Sequence, residues 1–89
     1  MKIRDMRNMG PKSEAMLNQA GISDADQLRQ LGAVAAYLQV LQEGAKPSLN
    51  LLYVIEGALT DRDWRDLGHG VRESLIMAMD AAMDKNYFE

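Results

Sequence analysis

Glycine and proline break this chain at short intervals, at Gly10-Pro11, Gly21, Gly32, Gly44, Pro47, Gly68 and Gly70. Between the breaks, apolar side chains recur at the three- and four-residue spacing of a helix face. No stretch shows the strict alternation of a half-buried strand, and β-branched residues are few. Leu, Met and Ala dominate a hydrophobic content of 47%, while aromatics supply only 6%. These are residues that lose little side-chain freedom in a helix. The expected fold is all-α: five to six short helices in one small globular domain spanning residues 1–89.

The expected elements follow from the punctuation. Lys2 to Asn8 makes a short helical turn with Ile3 and Met6 on one side. Pro11 opens the next helix at a position where its missing N–H costs nothing. That helix runs to about Ala20, with Met16, Leu17 and Ala20 inward, and Gly21 caps it so that Ile22 packs back. Ser23 or Asp24 caps a helix carrying Ala25, Leu28 and Leu31. Gly32 separates it from another, Ala33 to Gln42, whose stripe is Val34, Tyr37, Leu38 and Leu41. After the loop from Gly44 to Pro47, Ser48 is the expected N-cap of Leu49 to Leu59, apolar on most of its circumference and therefore central. Asp61 or Asp63 begins a further turn with Trp64 and Leu67. A last helix follows Gly70 and carries Val71, Leu75, Met79, Ala82 and Met83.

Candidates for chemistry are scarce. There is no cysteine, so thiolate metal sites, disulfides and thiol nucleophiles are excluded. His69 is the single histidine and lies between two glycines, with no carboxylate at metal-ligand spacing. None of Ser13, Ser23, Ser48 and Ser74 sits in a nucleophile elbow. Phosphate-cradling glycine patterns are missing. The pairs Asp24/Asp26 and Asp61/Asp63 read as first-turn residues that complement a helix dipole. The reading is non-enzymatic and without a cofactor. Glu56, inside an apolar helix, is expected to be tethered by the Trp64 indole, Arg62 or Arg65.

Charge is uneven. Residues 1–12 hold Lys2, Arg4, Arg7 and Lys12 against Asp5, four minus one or +3; the remainder holds six basic and twelve acidic side chains, or −6, giving the net −3. A cationic front thus sits on an acidic body, either as an ordinary solvated face or as a footprint for a polyanion.

The run Met6-Arg7-Asn8-Met9-Gly10-Pro11-Lys12-Ser13-Glu14-Ala15-Met16-Leu17, followed by Ala20-Gly21-Ile22, resembles a helix-hairpin-helix unit. In that family the bend's amides and the next helix N-terminus hold a DNA phosphate, which implies a contact through Arg7, Gly10, Lys12 and Ser13. Pro11 and Lys12 depart from the pattern, because one removes a donor and the other replaces the usual second glycine.

More widely, Asn8-Met9-Gly10-Pro11-Lys12-Ser13, Ala20-Gly21-Ile22, Leu31-Gly32-Ala33-Val34, Ser48-Leu49-Asn50-Leu51-Leu52-Tyr53, Glu56-Gly57-Ala58-Leu59 and Trp64-Arg65-Asp66-Leu67 occur in the order found in TfoX/Sxy-type competence regulators. Over residues 3–70 the chain is similar to their C-terminal domain. The resemblance implies a helix-hairpin-helix or SAM-like domain serving expression of DNA-uptake genes, with DNA backbone or a transcription regulator such as the cyclic-AMP receptor protein as partner. Fuller family members carry an N-terminal domain, so the chain is expected to be a stand-alone version or an excised one. The rival reading is a protein-interaction or homodimerisation module in which the hairpin is structural and Met77, Met79 and Met83 supply an adaptable surface. No membrane span or signal peptide is evident, and a cytoplasmic location is expected.

Overall fold

The computed structural model describes the backbone of residues 1–88 and the side chains of residues 1–83. Four α-helices follow one another: α1 (Pro11–Gln19), α2 (Ala25–Gln42), α3 (Leu49–Leu59) and α4 (His69–Phe88), with 3-10 turns at Ile3–Asp5 and Trp64–Asp66. The all-helical class expected from the sequence holds, and there is no strand among the described residues. The expected count of five to six helices is corrected to four. The first turn is 3-10 rather than α, and the two segments flanking Gly32 form one kinked element.

Local chemistry explains most boundaries. Gly10 is the N-cap of α1, with Pro11 in its first turn. At its other end the amides of Gly21 and Ile22 return to the carbonyls of Asn18 (3.0 Å) and Leu17 (2.9 Å), the paired bonds of a Schellman cap, and Ile22 is buried. Asp24, not Ser23, caps α2 by accepting from the Asp26 amide at 2.7 Å. Ser48 occupies the N-cap position of α3 without a capping hydrogen bond from its hydroxyl. The last helix begins at His69, two residues earlier than expected, and His69 Nε2 lies 3.2 Å from Glu73 Oε1 one turn on.

The core is built around Ile3, Leu17, Ile22, Leu28, Val40, Leu52 and Ile55, all fully buried. Burying such a side chain contributes about 1.5–3 kcal/mol each. As expected, α3 is the central element, with Leu51 through Ile55, Gly57 and Ala58 buried.

The inward face of α2 differs from expectation. Ala33, Ala36, Tyr37 and Val40 are buried, while Val34, Leu38 and Leu41 are only half-buried. The true stripe is displaced by one residue because it presents alanines, and small side chains let α3, its most extensive neighbour, approach closely. Leu31, expected inside, is exposed.

Candidate nucleic-acid interface

The bend from Met9 to Pro11 is pinned by residues distant in sequence. Asn8 has φ of 72°, a left-handed backbone that asparagine tolerates better than most residues. Its Nδ2 donates to Arg62 O at 2.8 Å, and its Oδ1 accepts from the Trp64 amide at 3.3 Å. Arg7 Nη1 donates to Asp61 O at 3.3 Å. The hairpin is thereby fastened to the loop that follows α3. That loop is itself a Schellman turn: Arg62 N returns to Gly57 O (2.8 Å), Asp61 N to Ala58 O (3.4 Å), and Asp61 takes the left-handed position at φ of 54°.

Beyond the bend, the opening of α1 is bare. Gly10 has no side chain to cap it, and the amides of Lys12 and Ser13 have no hydrogen-bond partner among the described residues. The carboxylate in that first turn, Glu14, is turned aside, because its Oε2 accepts from both the backbone N (3.1 Å) and Nε (3.2 Å) of Arg4.

Lys12 and Ser13 line a groove of about 360 Å³ whose opposite wall is the start of α3, with Lys46, Pro47, Ser48 and Asn50. Met16, Leu51 and Val54 form its apolar floor, and no acidic residue lines it. Two helix N-termini, each with a partial positive charge and neither capped by a side chain, thus share one concavity with two ammonium groups. An anion is the ligand class such a surface attracts.

Of the four residues expected at the site, Lys12 and Ser13 line the groove, while Gly10 is the α1 N-cap beside them and does not line it. Arg7 does not join them. It lines a separate groove with Asp5, Met6, Arg29 and Asp61, and the two grooves share no residue. The cationic front of the sequence is therefore split in space. Lys46 was missed as a site residue. Its only sequence signal is a lone cation before Pro47-Ser48, and nothing in the spacing places that loop beside the hairpin 34 residues earlier (46 minus 12).

Other expected roles are corrected. Glu56 is half-buried, and its side chain makes no hydrogen bond or ion pair among the described residues; Arg62 instead donates to Thr60 Oγ1 (3.1 Å), and Arg65 pairs with Asp63 (2.9 Å). Trp64 packs against the core edge. Met79 is buried, whereas Met77 and Met83 are exposed. No cluster of three or more His, Asp or Glu side chains suited to a metal occurs among the described residues.

Residues 1–79 match the family of the TfoX C-terminal domain. The chain belongs to that family. As a TfoX C-terminal domain, it matches past the motif blocks of residues 3–70 and takes in the first half of α4. It is 30% identical over 87 residues to "Protein Sxy" of Escherichia coli, covering 98% of this chain and 42% of that protein. It is 25% identical over 85 residues to "DNA transformation protein TfoX" of Haemophilus influenzae, covering 96% of this chain and 39% of that one. The chain therefore spans about two fifths of the length of these curated relatives. An uncharacterized protein from Listeria monocytogenes has the same fold, with a TM-score of 0.82, 23% identity, and coverage of 93% of this chain and 94% of the other.

Proposed function

We propose that this TfoX C-terminal domain is a non-enzymatic regulatory module of DNA transformation competence. In this reading it touches the sugar-phosphate backbone of duplex DNA through the groove between the starts of α1 and α3. The observation that carries the reading is the uncapped opening of α1, which with its own Lys12 shares a groove free of carboxylates with Lys46 and the start of α3. The printed name of the Haemophilus influenzae relative, a DNA transformation protein, supports the same direction. Backbone contacts of this kind position a protein on DNA without reading its sequence. One groove gives few phosphate contacts, so a second partner at the promoter, a transcription regulator, fits the reading.

Titration of the domain against duplex DNA at several salt concentrations tests this. Affinity should fall log-linearly with salt, and K12A and K46A should each lower the slope by about one phosphate contact. R7A should leave the slope unchanged, since Arg7 faces another groove. Lack of binding at low salt would overturn the DNA contact.

A second reading rests on Met77, which is 71% exposed on α4, with Met83 at 45% on the same helix. Flexible thioethers suit adaptable protein surfaces. A dimer mass in light scattering that reverts to monomer on M77S/M83S would favour homodimerisation, whereas a wild-type monomer would oppose it. No described helix is long and apolar enough to cross a membrane, which is consistent with a cytoplasmic role.

A further inference from the structure

Asn8 uses its side chain in a way that a turn residue need not. An asparagine in a left-handed turn ordinarily bonds its own or adjacent backbone. Here both polar ends of the carboxamide reach a segment 54 and 56 positions away, with the amino group on Arg62 O and the oxygen on Trp64 N. One end must donate and the other must accept, a demand met by a carboxamide and not by a carboxylate. The fold also makes room for it: a Cβ on Gly57 would stand 2.5 Å from Asn8 Nδ2 and 2.7 Å from Arg62 O.

Gly57 lies near the end of α3, and the start of that helix is the far wall of the cationic groove. A helix of this length is a stiff strut, so a tie at one end governs the placement of the other. Asn8 also stands two residues before Gly10, the N-cap of the near wall. One side chain therefore joins both walls.

We propose that Asn8 is a positioning residue for the groove, setting the aim of the Lys12 and Ser13 amides relative to the start of α3 by clamping the Arg62–Trp64 backbone. The consequence for binding rests on the DNA-backbone reading above; the positional claim does not.

The test uses the whole chain with N8G, which keeps the left-handed backbone and deletes the clamp, and N8D, which keeps the size and reverses one polar end. Each is assayed below its own melting transition, against the same DNA duplex across salt. The expected result is about a tenfold or greater loss of affinity, the scale of one or two lost ordering contacts, with a shallower salt slope and shifted Lys12 and Ser13 amide resonances. Unchanged affinity and slope in a folded variant that merely melts lower would overturn the proposal, because a purely stabilising residue does not move them. Should one variant fail to fold, the other decides. Should wild type bind no DNA, the function proposed above falls, and the amide resonances decide this claim alone: unmoved in N8G or N8D, they overturn it.

Discussion

The guanidinium of Arg72 lies 4.9 Å from the ring centroid of Tyr53 and donates from Nη2 to the carbonyl of Trp64 at 3.3 Å. The same group is 6.0 Å from the Trp64 ring. It thereby joins α4, α3 and the second 3-10 turn. Its buried Nε has no partner among the described residues, a desolvation cost that the stacking and the Trp64 bond must offset. Lysine has neither the plane nor the fork to replace these contacts. R72K is expected to destabilise the fold by about 1 kcal/mol, the scale of one cation–π contact. Urea denaturation checks this, and an unchanged midpoint would refute the stacking contribution.

Gly57 is packed against backbone as well as against Asn8. A Cβ there would meet Arg62 O at 2.7 Å and Trp64 Cα at 3.2 Å, neither of which is a flexible side-chain end. Alanine gains about 1 kcal/mol in helix propensity over glycine. Overpacking of a tight contact costs about 1–3 kcal/mol, to which the displaced Asn8 bonds add. G57A should therefore lower stability by about 2 kcal/mol in chemical denaturation. A stabilised G57A would mean that the α3 end and the hairpin are not in this contact.

Asp61 holds the left-handed cap position of α3 at φ of 54°, where a side chain is disfavoured by about 1 kcal/mol. Its carbonyl, not its carboxylate, receives Arg7. D61G keeps that carbonyl and removes the strain, at the expense of a more flexible unfolded chain. The expected net change is a stabilisation of about 0.5 kcal/mol, read as a higher melting temperature. A clear loss of stability would show that the Asp61 side chain has a role of its own.

Hydrogen bonds from the Arg65 side chain, and then from the Arg65 amide, hold the Asp63 carboxyl at about 2, well below the usual aspartate range. The Arg65 Nε and amide bonds measure 3.1 and 2.9 Å. Because the folded value is the lower one, the contribution of this cap is complete above pH 4 and fades as pH falls through about 2. Its position at the surface, with the Arg65 side chain exposed, makes it small and weakened by salt. A side-chain carboxyl NMR titration should give a midpoint near 2 for wild type. R65A should return it towards 4, and an R65A midpoint still near 2 would refute the cause.

The sequence is informative where structure is periodic or locally punctuated. The α1 boundaries at Gly10-Pro11 and Ala20, the Schellman turn at Gly21 and the apolar girth of α3 all follow from a few adjacent residues. The displaced stripe of α2 does not. Choosing between Val34–Leu41 and Ala33–Val40 depends on how near α3 can come, and two candidate stripes differ in sequence only by the size of their side chains. The groove was half legible. Gly10, Lys12 and Ser13 are contiguous in the chain, but Lys46 joins them and Arg7 leaves them through tertiary contacts that carry no period. Glu56 misled for a related reason, since the arginines near it in sequence already had closer partners in Thr60 and Asp63.

Gly32 adopts φ of 80° and ψ of 168° inside α2, a conformation nearly closed to residues with a side chain. Its effect is that of an elbow in a rod: the winding resumes beyond a kink. Ala25, Leu28, Ala33, Ala36 and Val40 share one broad helical face on either side of the break and are all buried, while Leu31 lies off that face and is exposed. A residue with a Cβ at that one site would favour a straight rod, and the two halves of α2 would then have to leave the directions along which they now lie on the core.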